Sequence, residues 1–273
     1  MLPGGKGVPA FGLGTWHMGE SAAKRAAEID ALRHGLDLGV RLIDTAEMYG
    51  EGGAEEVVAE AIDGRRDEVF LVSKVYPHNA SRKGAVAACE RSLKRLKTDR
   101  IDLYLLHWRG SVPFAETMAA FVKLQESGKI RHYGVSNLDR SDMEELPAVA
   151  DGSGVQANQV LYNLARRGVE WDLLPWLRER RIPVMAYSPI EQGRLSRNAK
   201  FVGFCKRYGI TPAQAALAWL LKDEDVIVIP KSSRPERVKE NFGALEVHLS
   251  KEQLAELDAI FPPPTGPRSL EML

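Results

Sequence analysis

Short apolar runs alternate along the chain with longer stretches in which apolar residues recur every three to four positions. The stretch 21–38 carries Ile29, Leu32 and Leu36 on one face of a helix, which Gly39 ends. Similar stretches follow most of the apolar runs, at intervals of roughly 25 to 45 residues. The pattern predicts strands at 10–16, 41–44, 69–74, 101–107, 129–135, 155–159, 183–187 and 226–229.

This alternation predicts parallel strands joined by right-handed helical crossovers. Eight such units in 273 residues fit a closed barrel better than an open doubly wound sheet. The open sheet would carry a glycine-rich dinucleotide turn, but Gly12-Leu-Gly14 lacks the third glycine. The turn residues at 3–7 lie between two extended pieces. The predicted fold class is therefore α/β, a (β/α)8 TIM barrel with a short N-terminal β-hairpin.

Composition narrows the range of partners. Lys plus Arg and Asp plus Glu number 37 each, so no broad field would attract nucleic acid or a membrane surface. Cys89 and Cys205 lack metal-ligand spacing and suit a reducing compartment, so we expect no metal site. The N-terminus has no signal-peptide core, and no apolar run is long enough to span a membrane. We expect a single cytoplasmic domain over residues 1–273.

The predicted strands end almost without exception in polar or ionisable residues. In a (β/α)8 barrel these ends meet at one rim, where such barrels carry their active sites. One polar strand end is ordinary, because it can cap the next helix. An acid, a lysine, a histidine and a phenol on one rim point instead to catalysis. The residues are Asp44, Lys74, His107, Ser136 with Asn137, Gln159, Tyr187 with Ser188, and 230–232, while Tyr49 follows Asp44 by five positions.

These residue types are suited to polarising a carbonyl group. A buried Lys74 would stay charged through its pair with Asp44, and its field would lower the pKa of Tyr49. Tyr49 could then protonate an oxygen that gains negative charge, while His107 donates a hydrogen bond to that oxygen. The chain shows no nucleophile elbow and no set of metal ligands. The rim therefore lacks only an electron donor.

The segment after the last strand predicts a phosphate site. Lys231 follows the strand, and Ser233-Arg-Pro-Glu236 has the spacing of a capping box that starts a helix. Arg237 falls in the first turns of that helix. A helix N-terminus flanked by cations binds a phosphate dianion, and such sites recur after the last strands of these barrels. The alternative is a solvated basic turn.

In chain order, these motifs resemble those of the aldo-keto reductases, NADPH-dependent carbonyl reductases built on a (β/α)8 barrel. The resemblance extends over nearly the whole chain. It is carried by Gly12-Leu-Gly-Thr-Trp16, Asp44-Thr-Ala-Glu-Met-Tyr49, Ser73-Lys74, Leu106-His-Trp108, Gly134-Val-Ser-Asn137, Asn158-Gln159, Tyr187-Ser-Pro189 and Ile229-Pro-Lys-Ser232 with Arg237 and Glu240-Asn241.

The resemblance implies a catalytic role for four residues and a nicotinamide site beside them. The tetrad positions are Asp44, Tyr49, Lys74 and His107. The positions that hold the nicotinamide carboxamide are Ser136, Asn137 and Gln159, with Tyr187 stacking on the ring.

The resemblance also implies that the cofactor is NADPH, because the 2′-phosphate positions are present. Those positions are Lys231, Ser232 and Arg237, and Glu240 and Asn241 match the residues that meet the adenine. Further implied cofactor contacts are Thr15, Trp16, Asp44, Ser188, Ile190 and Ser233.

The substrate implied is a small carbonyl compound. Trp16, Met48, Tyr76 and Trp108 are candidates for an aromatic-lined pocket beside Tyr49 and His107. The run 103–108 and the tail 261–273 resemble bacterial members that reduce methylglyoxal and related aldehydes. Two alternatives remain: an aldolase that forms a Schiff base at Lys74, and an NADPH-binding regulatory subunit with little turnover. Because the family is often monomeric, we expect a monomer.

Overall fold

Eight parallel strands form the centre of the molecule. The computed structural model covers residues 1–273, and each strand pairs with its neighbours in chain order. The strands are β1 Leu13–Gly14, β2 Leu42–Asp44, β3 Phe70–Val75, β4 Ile101–Leu106, β5 Ile130–Ser136, β6 Asn158–Leu161, β7 Val184–Tyr187 and β8 Val226–Val228.

Helices connect the strands and surround them. The helices are α1 Ala22–Asp37, α2 Gly53–Ala61, α3 Arg82–Leu96, α4 Phe114–Glu126, α5 Arg140–Glu145, α6 Leu173–Glu179, α7 Ala199–Tyr208, α8 Pro212–Leu221, α9 Pro235–Phe242 and α10 Lys251–Ile260. None of them is both long and apolar enough to cross a membrane. Short 3-10 turns, including Tyr49–Gly52 and Glu191–Arg197, occupy the loops.

The sheet closes on itself through the last strand. Val228 N donates to Ala10 O at 2.8 Å, and Gly12 N donates to Val228 O at 2.8 Å. Gly14 also forms a parallel bridge with Lys231. Because β8 pairs with the segment that contains β1, no strand edge is left open. The predicted (β/α)8 barrel is confirmed.

The predicted N-terminal hairpin is wrong in one respect. Leu2 N donates to Lys6 O and Gly5 N to Leu2 O, both at 2.9 Å, so the turn forms. Its flanks do not pair with each other, because Ala10 pairs with β8 instead. Leu2 packs into the barrel interior and is 2% exposed. The segment therefore closes the bottom of the barrel as a turn, without a β-ladder.

Most predicted strands lie within two residues of the observed ones, but two differ more. The first strand is limited to Leu13–Gly14 instead of 10–16. The sixth begins at Asn158 rather than at residue 155, because a 3-10 turn at Gly152–Gly154 precedes it. The second shift places Gln159 inside β6 rather than at its end, and neither shift moves a polar residue to another strand.

Apolar side chains fill two separate layers. The smaller cluster lies inside the barrel, and the larger one lies between the barrel and the helices. Alternation along each strand sends successive side chains to these two layers. The interior cluster contains Leu2, Leu42, Phe70, Val72, Leu103, Leu105, Ala157, Met185, Ile227 and Ile229.

We expect Leu105→Ala to destabilise the barrel by about 2–5 kcal/mol, because Leu105 is fully buried in the interior and its loss leaves a cavity. Urea denaturation measures the change. The control Leu245→Ala removes a leucine that is 38% exposed and should stay within about 0.5 kcal/mol. Equal losses in the two variants would contradict the packing described for the interior.

Candidate active site

The polar rim arises directly from strand alternation. Residues two apart on a strand face the same side, so the residue two positions after an interior apolar residue also points inward. At the carboxyl ends of most strands, this inward-pointing residue is polar. The pairs are Leu42 and Asp44, Val72 and Lys74, Leu105 and His107, Ala157 and Gln159, Met185 and Tyr187, and Ile229 and Lys231.

The ammonium of Lys74 is the centre of the rim. Lys74 is fully buried, and its Nζ donates to Asp44 Oδ2 at 2.7 Å, to Thr45 O at 2.9 Å and to Tyr49 OH at 3.2 Å. The other carboxylate oxygen of Asp44 accepts from Gln159 Nε2 at 2.8 Å. All three N–H donors of the lysine therefore have acceptors. The structure brings the predicted lysine, acid and phenol together.

The prediction that Lys74 lowers the pKa of Tyr49 is wrong. Burial raises the pKa of Tyr49 well above its ordinary value, and the charge of Asp44 acts in the same direction. Burial also lowers the pKa of Lys74, against the opposing effect of Asp44. For Lys74 desolvation outweighs the nearby charge, and for Tyr49 both effects raise the pKa. Tyr49 is consequently held in its protonated form, which is the form that can donate a proton.

His107 is the fourth residue of this group, beside Lys74, Asp44 and Tyr49, and it is a neutral imidazole. Burial, together with the charge of Lys74, lowers the pKa of His107 to about 2. Its ring lies edge-on to Tyr49, with centroids 5.7 Å apart. Nδ1 is buried without a hydrogen-bond partner. Because an orphaned N–H costs more than an orphaned lone pair, the proton belongs on Nε2, which can donate to a bound oxygen.

Close glycine contacts fix the loop that carries Tyr49. A β-carbon at Gly53 would lie 2.5 Å from Gly19 O, so these backbones touch. Gly19 N also donates to the buried carboxylate of Glu28 at 2.9 Å. The loops after β1 and β2 therefore pack backbone to backbone. This contact ties the loop that carries Tyr49 to the loop after β1.

A second hydrogen-bond network spans the ends of β5, β6 and β7. Asn137, in the left-handed region at φ 54°, donates through Nδ2 to His107 O at 3.1 Å and accepts from Tyr187 OH at 3.0 Å. Ser136 Oγ donates to Gln159 O at 2.9 Å. Burial raises the pKa of Tyr187 to about 12, so its phenol stays a donor.

One cavity of ≈ 1010 Å³ runs across the rim. It is large enough for a dinucleotide with a small second ligand. Most predicted site residues line it: Thr15, Trp16, Asp44, Met48, Tyr49, His107, Trp108, Ser136, Asn137, Gln159, Tyr187, Ser188, Ile190, Lys231, Ser232, Arg237, Glu240 and Asn241.

Three predicted site residues do not line the cavity. Lys74 lies behind Tyr49 and Asp44. Tyr76 packs edge-on against Trp108, with centroids 5.7 Å apart, and supports that wall from outside. Ser233 lies beyond the lining residue Ser232.

The sequence prediction missed part of the wall. The missed residues are on the Glu191–Arg197 turn, at the start of α8 and in the C-terminal tail. None of them belongs to a sequence motif, so only the tertiary structure shows that they line the cavity. They include Gln192, Gly193, Leu195, Ser196, Pro212, Ala213, Met272 and Leu273.

The far end of the cavity fits an anion. Lys231 has no carboxylate within 4.0 Å. Burial lowers the pKa of its ammonium. Arg237 lies one turn into α9 and bonds Glu240 at 2.5 Å. A cation without a partner beside Ser232 and a helix start suits a phosphate dianion.

The predicted capping box at this end is wrong. The N-cap residue of α9 is Arg234, and no side chain caps the helix. Ser232 Oγ instead accepts from Arg234 N at 3.1 Å. Glu236 pairs with Arg234 at 2.6 Å rather than reaching back to Ser233. The N–H groups of the first helical turn are consequently not taken up by a capping side chain.

A buried protonated phenol, a neutral imidazole and a lysine–aspartate pair define a barrel enzyme equipped to protonate the oxygen of a bound carbonyl compound. The family model described as "Aldo/keto reductase family" matches residues 10–261. The chain belongs to the aldo/keto reductase family and is an oxidoreductase.

Individual relatives agree with this assignment. The chain is 52% identical over 271 residues to the methylglyoxal reductase YeaE of Escherichia coli (strain K12), covering 97% of this chain and 95% of that protein. It is 32% identical over 259 residues to a glyoxal reductase of Bacillus subtilis (strain 168), covering 95% and 91%. A crystal structure of an aldo/keto reductase from Klebsiella pneumoniae in complex with NADP and acetate superposes with a TM-score of 0.97 at 50% identity, covering 100% of this chain and 98% of that one.

We expect Gly53→Ala to destabilise the protein by about 1–3 kcal/mol, because the added methyl meets the backbone of Gly19 and the loops must separate. Urea denaturation measures the loss. Gly203→Ala is the matched control, since Gly203 is also helical and has nothing within 4 Å of the added carbon. The control should be neutral or stabilising. A neutral Gly53→Ala would contradict the close contact.

Proposed function

We propose that this protein reduces small aldehydes or reactive ketones, such as 2-oxoaldehydes, to alcohols with NADPH, and that Tyr49 is the general acid. The observation that carries the proposal is the contact of Lys74 Nζ with both Asp44 Oδ2 and Tyr49 OH, at 2.7 and 3.2 Å. The cavity beside Tyr49 supports a carbonyl substrate, because it presents the two oxygen-directed donors on one wall.

The substrate class rests on the size and chemistry of the cavity wall. Trp16, Met48 and Trp108 line it beside Tyr49 and His107, and none of them carries a charge. A small, uncharged carbonyl compound suits such a wall. Two relatives are named for their reduction of methylglyoxal and glyoxal, which supports the same class.

The residues along the rest of the cavity fit NADPH. Ser136, Asn137 and Gln159 offer polar groups for the carboxamide beside Tyr187, whose ring can stack on the nicotinamide. Thr15, Ser188 and Ile190 line the stretch between the two ends. Related crystal structures contain NADP and NADPH. When bound, NADPH supplies the hydride for the carbonyl carbon.

The 2′-phosphate end supports NADPH over NADH. Lys231, Ser232 and Arg237 face the cavity there, and Glu240 and Asn241 stand beside them for the adenine. Ser233 lies next to this group and is a supporting residue rather than a wall residue. Because the 2′-phosphate is the only difference between the two cofactors, charge at this end decides the preference.

The chain's own residues perform the proton transfer. Nε2–H of His107 and the hydroxyl of Tyr49 donate hydrogen bonds to the substrate oxygen and orient it. As negative charge develops on that oxygen, Tyr49 transfers its proton and the alcohol forms. The resulting phenolate is stabilised by the ammonium of Lys74, which Asp44 holds in place. The buried lysine therefore acts most strongly after the proton has left.

The Schiff-base alternative conflicts with the geometry. An aldolase lysine must reach the substrate, whereas Lys74 does not line the cavity and donates to three protein acceptors. A regulatory subunit with little turnover would not need the full donor set around Tyr49. Reductase activity is thus the function best supported.

The proposal extends to the organisation of the protein. Exposed large apolar residues such as Trp171, Tyr208 and Leu245 lie on separate elements, which supports a monomer. Cys89 and Cys205 are buried and unpaired, which supports the cytoplasm. We treat residues 1–273 as one domain, because the strand pairing runs unbroken from β1 to β8.

We expect Tyr49→Phe to lower kcat by about 10²–10⁴ while NADPH still binds, because only the proton donor is removed. Absorbance of NADPH with methylglyoxal measures turnover, and fluorescence titration measures binding. Tyr208→Phe is the control, since that phenol is 41% exposed and distant from the rim. A Tyr49→Phe variant with kcat within twofold of the wild type would exclude Tyr49 as the acid.

Arg237→Ala should weaken NADPH binding by about 10- to 100-fold and leave NADH binding nearly unchanged, because one charge-assisted contact to the 2′-phosphate is lost. Fluorescence titration with each cofactor gives the ratio. Lys239→Ala removes a cation from the same helix, outside the cavity, and should leave the ratio unchanged. Equal weakening for both cofactors would show that Arg237 does not read the 2′-phosphate.

A further inference from the structure

An ion pair with a fully buried carboxylate lies on the outer side of β3, directly behind the rim. Glu55, on α2, has a side chain that is 0% exposed. Its carboxylate accepts from Arg95 Nε on α3 at 2.6 Å and from Ser73 Oγ on β3 at 2.7 Å. Ser73 directly precedes Lys74 in the strand. Both oxygens of Glu55 are therefore occupied, one by the strand and one by the neighbouring helix.

The other partner of this pair touches the Tyr49 loop. A β-carbon on Gly52 would lie 2.5 Å from Arg95 Nε and 2.6 Å from Arg95 Cδ, so the arginine lies against that glycine. Gly52 is at φ 93°, in the left-handed region. It stands three residues after Tyr49 in the same 3-10 turn. Arg95 also donates to Ser92 Oγ at 3.2 Å, which fixes its guanidinium on α3.

We propose that Glu55 and Arg95 are positioning residues for the reaction, which hold the Tyr49 loop and the Lys74 strand together from outside the barrel. This inference rests on the proposed function, because it assigns the pair to the proton donor of that reaction. Glu55 binds the strand through Ser73, and Arg95 supports the loop at Gly52. The distance between Lys74 Nζ and Tyr49 OH, 3.2 Å, depends on both.

The pair also acts on Lys74 through its charges. On the barrel side, Lys74 faces Asp44, Tyr49 and His107, and besides Asp44 the carboxylate whose charge acts on Lys74 is that of Glu55. Glu55 opposes the lowering of the Lys74 pKa by burial. Removing the Glu55 charge should therefore make Lys74 lose its proton at lower pH. Removing the Arg95 charge should have the opposite effect, because the negative charge of Glu55 is then uncompensated.

The test uses two isosteric variants and one control in the full-length protein. Glu55→Gln keeps the shape and the bond to Ser73 but removes the charge, and Arg95→Met keeps the stem but removes the guanidinium. Glu60→Gln is the matched control, since Glu60 lies on the same helix and pairs with Arg25 at the surface. Gly52→Ala is a further variant that changes no charge; it displaces Arg95 and also strains the left-handed turn that carries Tyr49.

We expect kcat with methylglyoxal to fall about tenfold in Glu55→Gln, Arg95→Met and Gly52→Ala, with KM for NADPH unchanged. The alkaline limb of the kcat–pH profile should move to lower pH in Glu55→Gln and to higher pH in Arg95→Met. Partial unfolding would lower kcat without moving the alkaline limb in either charge variant. Alkaline limbs that move in opposite directions in the two variants therefore distinguish positioning from a loss of folding. Wild-type kcat and an unmoved limb in folded Glu55→Gln, or limbs that move in the same direction, would overturn the proposal.

A second readout does not need turnover. NMR of 13C-labelled lysine side chains, assigned with Lys74→Met, follows the Lys74 titration in each variant. A Lys74 signal that shifts as expected in a protein without reductase activity would reject the proposed function and leave the charge coupling intact. Active wild-type protein with an unshifted Lys74 signal in both charge variants would reject the coupling alone. If Glu55→Gln fails to fold, Arg95→Met carries the charge test alone: a limb that stays in place or moves to lower pH would overturn the proposal.

Discussion

The buried ammonium of Lys74 is the interaction on which the rest of the site depends. Its three N–H donors reach Asp44, Thr45 and Tyr49, so the ion is fully satisfied although water is excluded. Removing one partner of such a buried pair typically costs about 3–5 kcal/mol, because the remaining charge is left without compensation. Asp44 also binds Gln159 across the barrel. The same contacts thus connect β2, β3 and β6 and place the phenol of Tyr49.

Burial sets the protonation states of Tyr49 and His107 at the rim. It raises the pKa of Tyr49 and lowers the pKa of His107, so that a protonated phenol and a neutral imidazole face the cavity together. Both groups can then donate to one oxygen without adding positive charge. The field of Lys74 matters most once the phenol has lost its proton. The low dielectric that makes Tyr49 a weak acid alone makes Lys74 an effective partner for its phenolate.

The walls of the cavity come from loops that the barrel brings together. The turn Glu191–Arg197 is held by the buried carboxylate of Glu191, which accepts from Asn163 at 2.8 Å and from Arg194 at 2.7 Å. Arg166 bridges this carboxylate to Glu271 in the tail, at 3.2 and 2.5 Å. The turn and the C-terminal tail, which both line the cavity, are therefore tied to one charged cluster. Loops placed on a rigid barrel in this way can vary without disturbing the chemistry beneath them.

The sequence alone predicted the strand order, the barrel and the meeting of Asp44, Tyr49, Lys74 and His107 at its rim, because periodicity and alternation act locally and the family motifs lie at the strand ends. It could not give the C-terminal wall at Met272 and Leu273, the cap of α9 at Arg234 or the direction of the Tyr49 pKa. Nor could it give the contact between Arg95 and Gly52, which are 43 positions apart. These features depend on which distant segments meet and on how completely they exclude water, and only the tertiary structure decides both.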